Sequence, residues 1–154
     1  MVVNVVLFEP EIPPNTGNIV RTCAATGFRL HLIEPLGFSL SDRYLKRAGL
    51  DYWGDADISV HRDFRAFVDA EKPDSLYALS TKGKKTYRDM ELSEQPYLLF
   101  GPETRGLPSE ILRNPGVTVF RIPMQKGIRS LNLSNAVAIV AYDILRRLDF
   151  PGLT

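Results

Sequence analysis

The chain has 154 residues, of which 44% are hydrophobic and 24% charged, with a formal net charge of +1. That length and balance fit one globular domain with a buried core and exclude a disordered chain. They also exclude a strongly basic nucleic-acid-binding domain, so any RNA surface must come from local clusters. One cysteine, Cys23, excludes an internal disulfide and a cysteine metal cluster, and fits a reducing cytoplasm. No apolar run approaches the roughly 20 residues of a membrane span. Met1–Phe8 lacks a basic leading region and reads as a first strand rather than a signal peptide.

Val2–Phe8 is almost continuously apolar, as expected of a parallel strand buried on both faces. A proline-rich loop, Glu9–Pro14, leads to a helix over Gly17–Thr26 that Asn15 or Thr16 would cap and Gly27 would end. Strands are predicted at Phe28–Ile33, Ala56–Val60, Ser75–Ser80, Pro96–Phe100 and Val117–Ile122. Helices are predicted at Leu40–Ala48, Asp63–Ala70, Pro108–Arg113 and about Asn132–Leu148, and Thr81–Thr86 reads as a basic loop. The alternation predicts a doubly wound α/β domain without internal repeats or linkers. The final helix is apolar nearly all round: Leu133, Val137, Val140, Ile144 and Leu148 make one stripe, and Ala136, Ala138 and Ile139 continue it onto the other side. A helix of that kind needs cover on more than one face, which predicts a homodimer.

The polar chemistry gathers where strands meet helices. Arg121–Tyr142 runs strand, proline, polar loop, helix, an order that puts ligand-binding groups at the carboxyl end of a strand. Ser130, Asn132, Ser134 and Asn135 crowd that helix start, where capping needs only one of them, and the surplus points to a ligand. Gly101 and Gly106 let backbone approach a ligand, with Glu103 between them. The plain alternative is a tight turn whose Glu103 caps the following helix. Asn15 and Arg21 share the first helix, where the plain alternatives are an N-cap and a solvated side chain. Arginine is suited to fork onto a phosphate. The clusters Lys82, Lys84, Lys85, Arg88 and Arg43, Lys46, Arg47 are ordinary solvated charge or, in a dimer, a phosphate-tracking face. Glycine-rich dinucleotide and P-loop motifs are absent; Leu107 stands where a P-loop lysine would be. No His–Glu or Cys–His set has metal spacing, and His31 and His61 read as structural or solvent-facing.

Three blocks together resemble a known family: Asn15–Arg21, Leu99–Leu107, and Ile122–Met124 with Arg129–Asn135. They are similar to the three motifs of the SPOUT RNA methyltransferases. Phe8–Gly17 and Arg47–Tyr52 look like the small group of that family that consists of the catalytic domain alone. The resemblance spans essentially the whole chain and implies a single SPOUT domain over residues 1–154. Its fold is α/β, an open, mostly parallel sheet with helices on both faces. It also implies a deep C-terminal trefoil knot, formed by threading the final loop and helix through the Leu79–Gly101 region. The implied cofactor is S-adenosyl-L-methionine, without a metal, held by Leu79, Thr81, Gly101, Ile122, Ser130 and Leu131. The implied catalytic set is Asn15, Arg21, Glu103, Ser130 and Asn132. The implied reaction is 2′-O-methylation of the ribose of the wobble nucleotide, a cytidine or modified uridine, in the anticodon loop of leucine tRNAs. The implied assembly is a cytoplasmic homodimer with Tyr142 at its contact, the dimer surface binding the anticodon stem-loop. Two rivals stand beside this: a family member acting on ribosomal RNA, and a cofactor-binding module without catalysis.

Overall fold

A computed structural model describes residues 1–154, apart from the side chain of Leu50, which lies within the Arg47–Tyr52 stretch. Seven strands form one sheet: β1 (Asn4–Phe8), β2 (Arg29–Ile33), β3 (Ile58–His61), β4 (Leu76–Leu79), β5 (Lys85–Thr86), β6 (Tyr97–Phe100) and β7 (Val117–Arg121). Their spatial order is β3-β2-β1-β6-β4-β7-β5, and every pairing is parallel. Five α-helices, α1 (Pro13–Thr26), α2 (Arg43–Trp53), α3 (Phe64–Glu71), α4 (Ser109–Leu112) and α5 (Leu133–Arg147), and a short 3-10 turn at Tyr87–Asp89 complete the described elements.

Side chains alternate across a strand, and the two faces can be read directly from that rule. Val5, Leu7, Leu30, Leu32, Tyr77, Leu98 and Phe100 pack with α1 and α5 through Ile19, Val20, Val137 and Ile144. Val6, Ile33, Leu76, Ala78, Tyr97 and Leu99 pack with α3 and α4 through Phe67 and Ile111. Cys23 is buried among the first set, and that burial pushes its thiol up to about 12.

Two local expectations need correction. The first helix starts at Pro13, not Gly17, because proline is tolerated in a first turn where its missing N–H has no helical partner anyway. Its N-cap is Ile12, whose side chain cannot cap, and Asn15 lies inside the first turn. The basic loop contains β5, a two-residue strand paired to β7, too short to show in any periodicity. Of the two readings of His31 and His61, the structural one holds, since both are buried.

The helix pair α1–α2 meets at glycine. A Cβ on Gly17 would lie 2.5 Å from Ala48 Cβ and 2.8 Å from the Leu45 carbonyl oxygen, and one on Gly49 would lie 2.6 Å from the Gly17 carbonyl oxygen. Only glycine permits this approach.

Candidate active site

All strands run parallel, so their carboxyl ends share one edge of the sheet. At that edge β4 lies between β6 and β7, with Leu79 paired to Phe100 on one side and Phe120 on the other. The loops that leave these three strands wall a cavity of about 560 Å³. Leu79, Thr81, Gly101, Ile122, Ser130 and Leu131 all line it, as do Phe100, Met124 and Arg129. Its volume and mixed lining suit a small ligand with an apolar body and a polar end. A Cβ on Gly101 would lie 2.4 Å from the Leu107 backbone nitrogen, so this loop can fold tightly only around glycine.

Glu103, on the same cavity wall, does not cap the helix that follows it. Its carboxylate accepts from the Glu11 N–H at 2.8 Å, the Ile12 N–H at 3.1 Å and Asn15 Nδ2 at 3.4 Å. The reason is visible in the first turn of α1. Pro13 and Pro14 have no N–H, so the donors that need a partner there are those of Glu11 and Ile12. A carboxylate at a helix N-terminus also meets the positive end of the helix dipole. A second contact is reciprocal: the Glu11 carboxylate accepts from Thr104 Oγ1 at 2.8 Å and the Thr104 N–H at 3.2 Å. Those bonds hold the Glu11 carboxyl below its usual range. Arg105 adds an ion pair to Glu9 at 3.7 Å. The β1–α1 and β6–α4 loops are thus clasped together.

From Glu103 the network runs on. Asn15 is buried, and its Oδ1 accepts from Asn132 Nδ2 at 2.9 Å. Asn132 is the N-cap of α5, its Oδ1 accepting from the Asn135 N–H at 3.2 Å and Ser134 Oγ at 2.6 Å. Capping therefore uses one of the four crowded polar residues. Thr81, Arg129 and Ser130 line the cavity, and their side chains make no hydrogen bond among the described residues. The structure brings Asn15, Glu103 and Asn132 into one chain of contacts and puts Ser130 in the cavity. Arg21 is not brought to this cavity: it is exposed on α1, with its guanidinium carbon 4.9 Å from the Tyr52 ring centroid.

A second polar cluster lies on the other face of the sheet, in the packing around α3. His31 Nδ1 is 3.1 Å from His61 Nε2, and His31 Nε2 is 3.1 Å from Asn4 Oδ1. Since Asn4 Nδ2 already donates to the Val2 carbonyl, Asn4 Oδ1 accepts from His31 Nε2–H. His31 Nδ1 then accepts from His61 Nε2–H. Burial pushes His31 down to about 4, although Glu71 pulls the other way. The 3.9 Å approach of Glu71 Oε1 to His31 is accordingly a polar contact to a neutral ring rather than an ion pair. Spacing in the chain held no metal set, yet ligand atoms of His31, His61 and Glu71 from three elements fall within 4.8 Å of one another. Both ring nitrogens of His31 and Nε2 of His61 are hydrogen-bonded within the cluster.

The final helix keeps its expected exposed apolar side: Ile139 is 38% and Tyr142 47% accessible. Among the described residues, no helix is long and apolar enough to cross a membrane.

A parallel α/β sheet with a ligand cavity at the carboxyl ends of adjacent strands defines a class of ligand-binding α/β proteins. Comparison narrows it: the SpoU rRNA Methylase family matches residues 2–142, and the chain belongs to that family. It is similar to a tRNA (cytidine(34)-2′-O)-methyltransferase of Escherichia coli K12, 55% identical over 97% of this chain and 96% of that one. A solved structure described as structural insights into the 2-OH methylation of C/U34 on tRNA superposes with TM-score 0.91 at 47% identity, over 96% of this chain and 97% of that one. An AdoMet-bound rRNA methyltransferase from Sinorhizobium meliloti superposes with TM-score 0.85 at 27% identity, over 96% of this chain and 57% of that one.

Proposed function

We propose that this chain is an S-adenosyl-L-methionine-dependent tRNA methyltransferase that methylates the ribose 2′-oxygen of the wobble cytidine or modified uridine in leucine tRNAs. The observation that carries this reading is the arrangement of the carboxyl edge. Three loops wall one cavity, and Asn132, between lining residues Leu131 and Leu133, is tied through Asn15 to Glu103. The similarity to tRNA (cytidine(34)-2′-O)-methyltransferases supports nucleotide 34 of tRNA as the target, and the AdoMet-bound relative supports the cofactor. The apolar and polar lining fits such a cofactor, with apolar walls at Leu79, Phe100 and Ile122 and free polar groups at Thr81 and Ser130.

When bound, the cofactor supplies a methyl group on a sulfonium. The chain's own groups supply alignment, which carries much of the rate when the nucleophile is a weakly acidic sugar hydroxyl. Ser130 and Asn132 orient the ribose at the cavity mouth. Asn15 fixes the Asn132 amide, and Glu103 fixes Asn15 and the α1 start. Because the Glu103 carboxylate already accepts three hydrogen bonds, it acts as a positioning group rather than as the base. Arg21 grips an adjacent phosphate from the face of α1, since a guanidinium hardly loses its proton. No metal takes part in this scheme.

The proposal extends to one SPOUT domain over residues 1–154, knotted by its final loop and helix, and to a cytoplasmic homodimer. The exposed apolar side chains Ile139 and Tyr142 on the outer side of α5 support the dimer. Methyl transfer from labelled cofactor to bulk tRNA, with ribosomal RNA as the competing substrate, tests the function. Label in tRNA alone is expected. Label in ribosomal RNA alone would favour the first rival, and cofactor binding without transfer the second.

A further inference from the structure

Several arginines pair with carboxylates, among them Arg29 with Asp57, Arg65 with Asp69 and Arg147 with Asp143. On α2, by contrast, Arg43, Lys46 and Arg47 are exposed and form no salt bridge among the described residues. The neighbouring carboxylate of Asp42 is occupied, accepting from the Tyr44 and Leu45 N–H groups at 2.8 and 3.2 Å as the helix cap. Three cations thus stand at this helix start beside one capping carboxylate, and none of them is in an ion pair among the described residues.

An aromatic ring stands among these cations. Tyr44 is 46% exposed, and the Arg43 guanidinium carbon lies 4.8 Å from its ring centroid. Arg43 Nη2 also donates to the Tyr44 hydroxyl at 2.8 Å, which holds ring and guanidinium together. With Arg47 they line a surface hollow of about 340 Å³. The pattern recurs at the other end of the helix, where Arg21 sits over Tyr52. The rings of Tyr44 and Tyr52, eight residues apart on α2, lie about 12 Å apart along its axis, the second covered by Arg21 from α1. Plain solvated charge explains the cations but not an exposed ring bonded into them.

Unpaired RNA bases stack on tyrosine and on guanidinium planes, while arginine forks onto the phosphate between them. We propose that Arg43, Tyr44 and Arg47 form a nucleotide subsite for single-stranded RNA. It takes the base of an unpaired anticodon-loop nucleotide on Tyr44 and its phosphate on Arg47. This rests on the reading of the chain as a tRNA methyltransferase. The nucleotide held there is not the one methylated, because none of these residues lines the cavity at the carboxyl edge.

The probe is an anticodon stem-loop RNA carrying 2-aminopurine at each loop position in turn, titrated with the full chain. Wild type and Tyr44→Phe should quench one loop position on binding. Tyr44→Ala should lose that quench and bind about tenfold more weakly, the ordinary loss for one stacked base. Arg47→Ala should lower the salt slope of binding by about 0.7, the value for one single-strand phosphate. Cofactor affinity and the melting temperature of each variant, measured alongside, identify a folding failure, and Tyr44→Leu, which keeps apolar bulk but offers no ring to stack on, should lose the same quench if Tyr44→Ala unfolds. If the wild type methylates tRNA while Tyr44→Ala keeps both quench and affinity, the subsite is wrong and the enzyme assignment stands. A wild type that neither binds nor methylates RNA overturns both.

Discussion

The two polar clusters of this molecule are built from similar residues and end differently. Around His31, both ring nitrogens are taken up by His61 and Asn4 in a nearly sealed space. At the carboxyl edge, Glu103, Asn15 and Asn132 also bond one another, but the chain of contacts leads to a cavity where Thr81, Arg129 and Ser130 remain free. Closed polar networks brace a fold; networks that end in unspent groups beside a cavity bind and position ligands. Burial alone does not separate the two, because Asn15 and His31 are both buried.

The comparison breaks or sharpens under mutation. The largest effect is expected at Glu103→Ala, which strips the α1 start of its acceptor and removes the Asn15 anchor. Activity should fall at least about 100-fold, and urea unfolding should show a loss of about 2–3 kcal/mol from unpaired donors. If stability were untouched, the clasp between the two loops would not be a real bond set. Ser130→Ala comes next: methyl transfer should drop about 10- to 100-fold, with stability within about 0.5 kcal/mol of wild type, because its hydroxyl braces nothing. Loss of stability there would move Ser130 into the closed class.

The His31 cluster should behave in the opposite way. The fold holds His31 neutral, with a value near 4 against 6.5 for the free group, so the unfolded chain takes up the proton first on acidification. Stability should fall by about 3 kcal/mol as pH drops from 6.5 toward 4 and stay flat above that window. In His31→Gln the acid-side slope should flatten, while kcat at pH 8 per folded molecule stays near wild type. Denaturant titrations across that pH range read the slope directly. The smallest effect is at Arg21→Lys, where loss of the bidentate grip should raise the KM for tRNA several-fold with little change in stability. Near-normal kinetics in that variant would remove the phosphate role.

Much of the fold was legible because the strands are apolar on both faces. Val2–Phe8 and Pro96–Phe100 have the composition of buried parallel strands, and both lie in the middle of the sheet. The start of α1 was misplaced because its cap is supplied by Glu103, 91 and 92 residues away, which no local rule can see. β5 was hidden by its two-residue length. The crowd of polar residues at the start of α5 was visible as a surplus, and it resolves into one cap and a free Ser130 in the cavity. The histidine cluster was invisible because β2, β3 and α3 bring its members together only after folding. The glycine contact of α1 with α2 was also out of reach: Gly17 and Gly49 carry no sign in the sequence of what they will touch.

The most direct test of the account is to methylate bulk tRNA with labelled S-adenosyl-L-methionine and map the modified nucleoside. A 2′-O-methyl group on the wobble nucleotide, formed by wild type and by His31→Gln but lost in Ser130→Ala, is the predicted result. A methyl group on a base or on ribosomal RNA, or full transfer by Ser130→Ala, would contradict it.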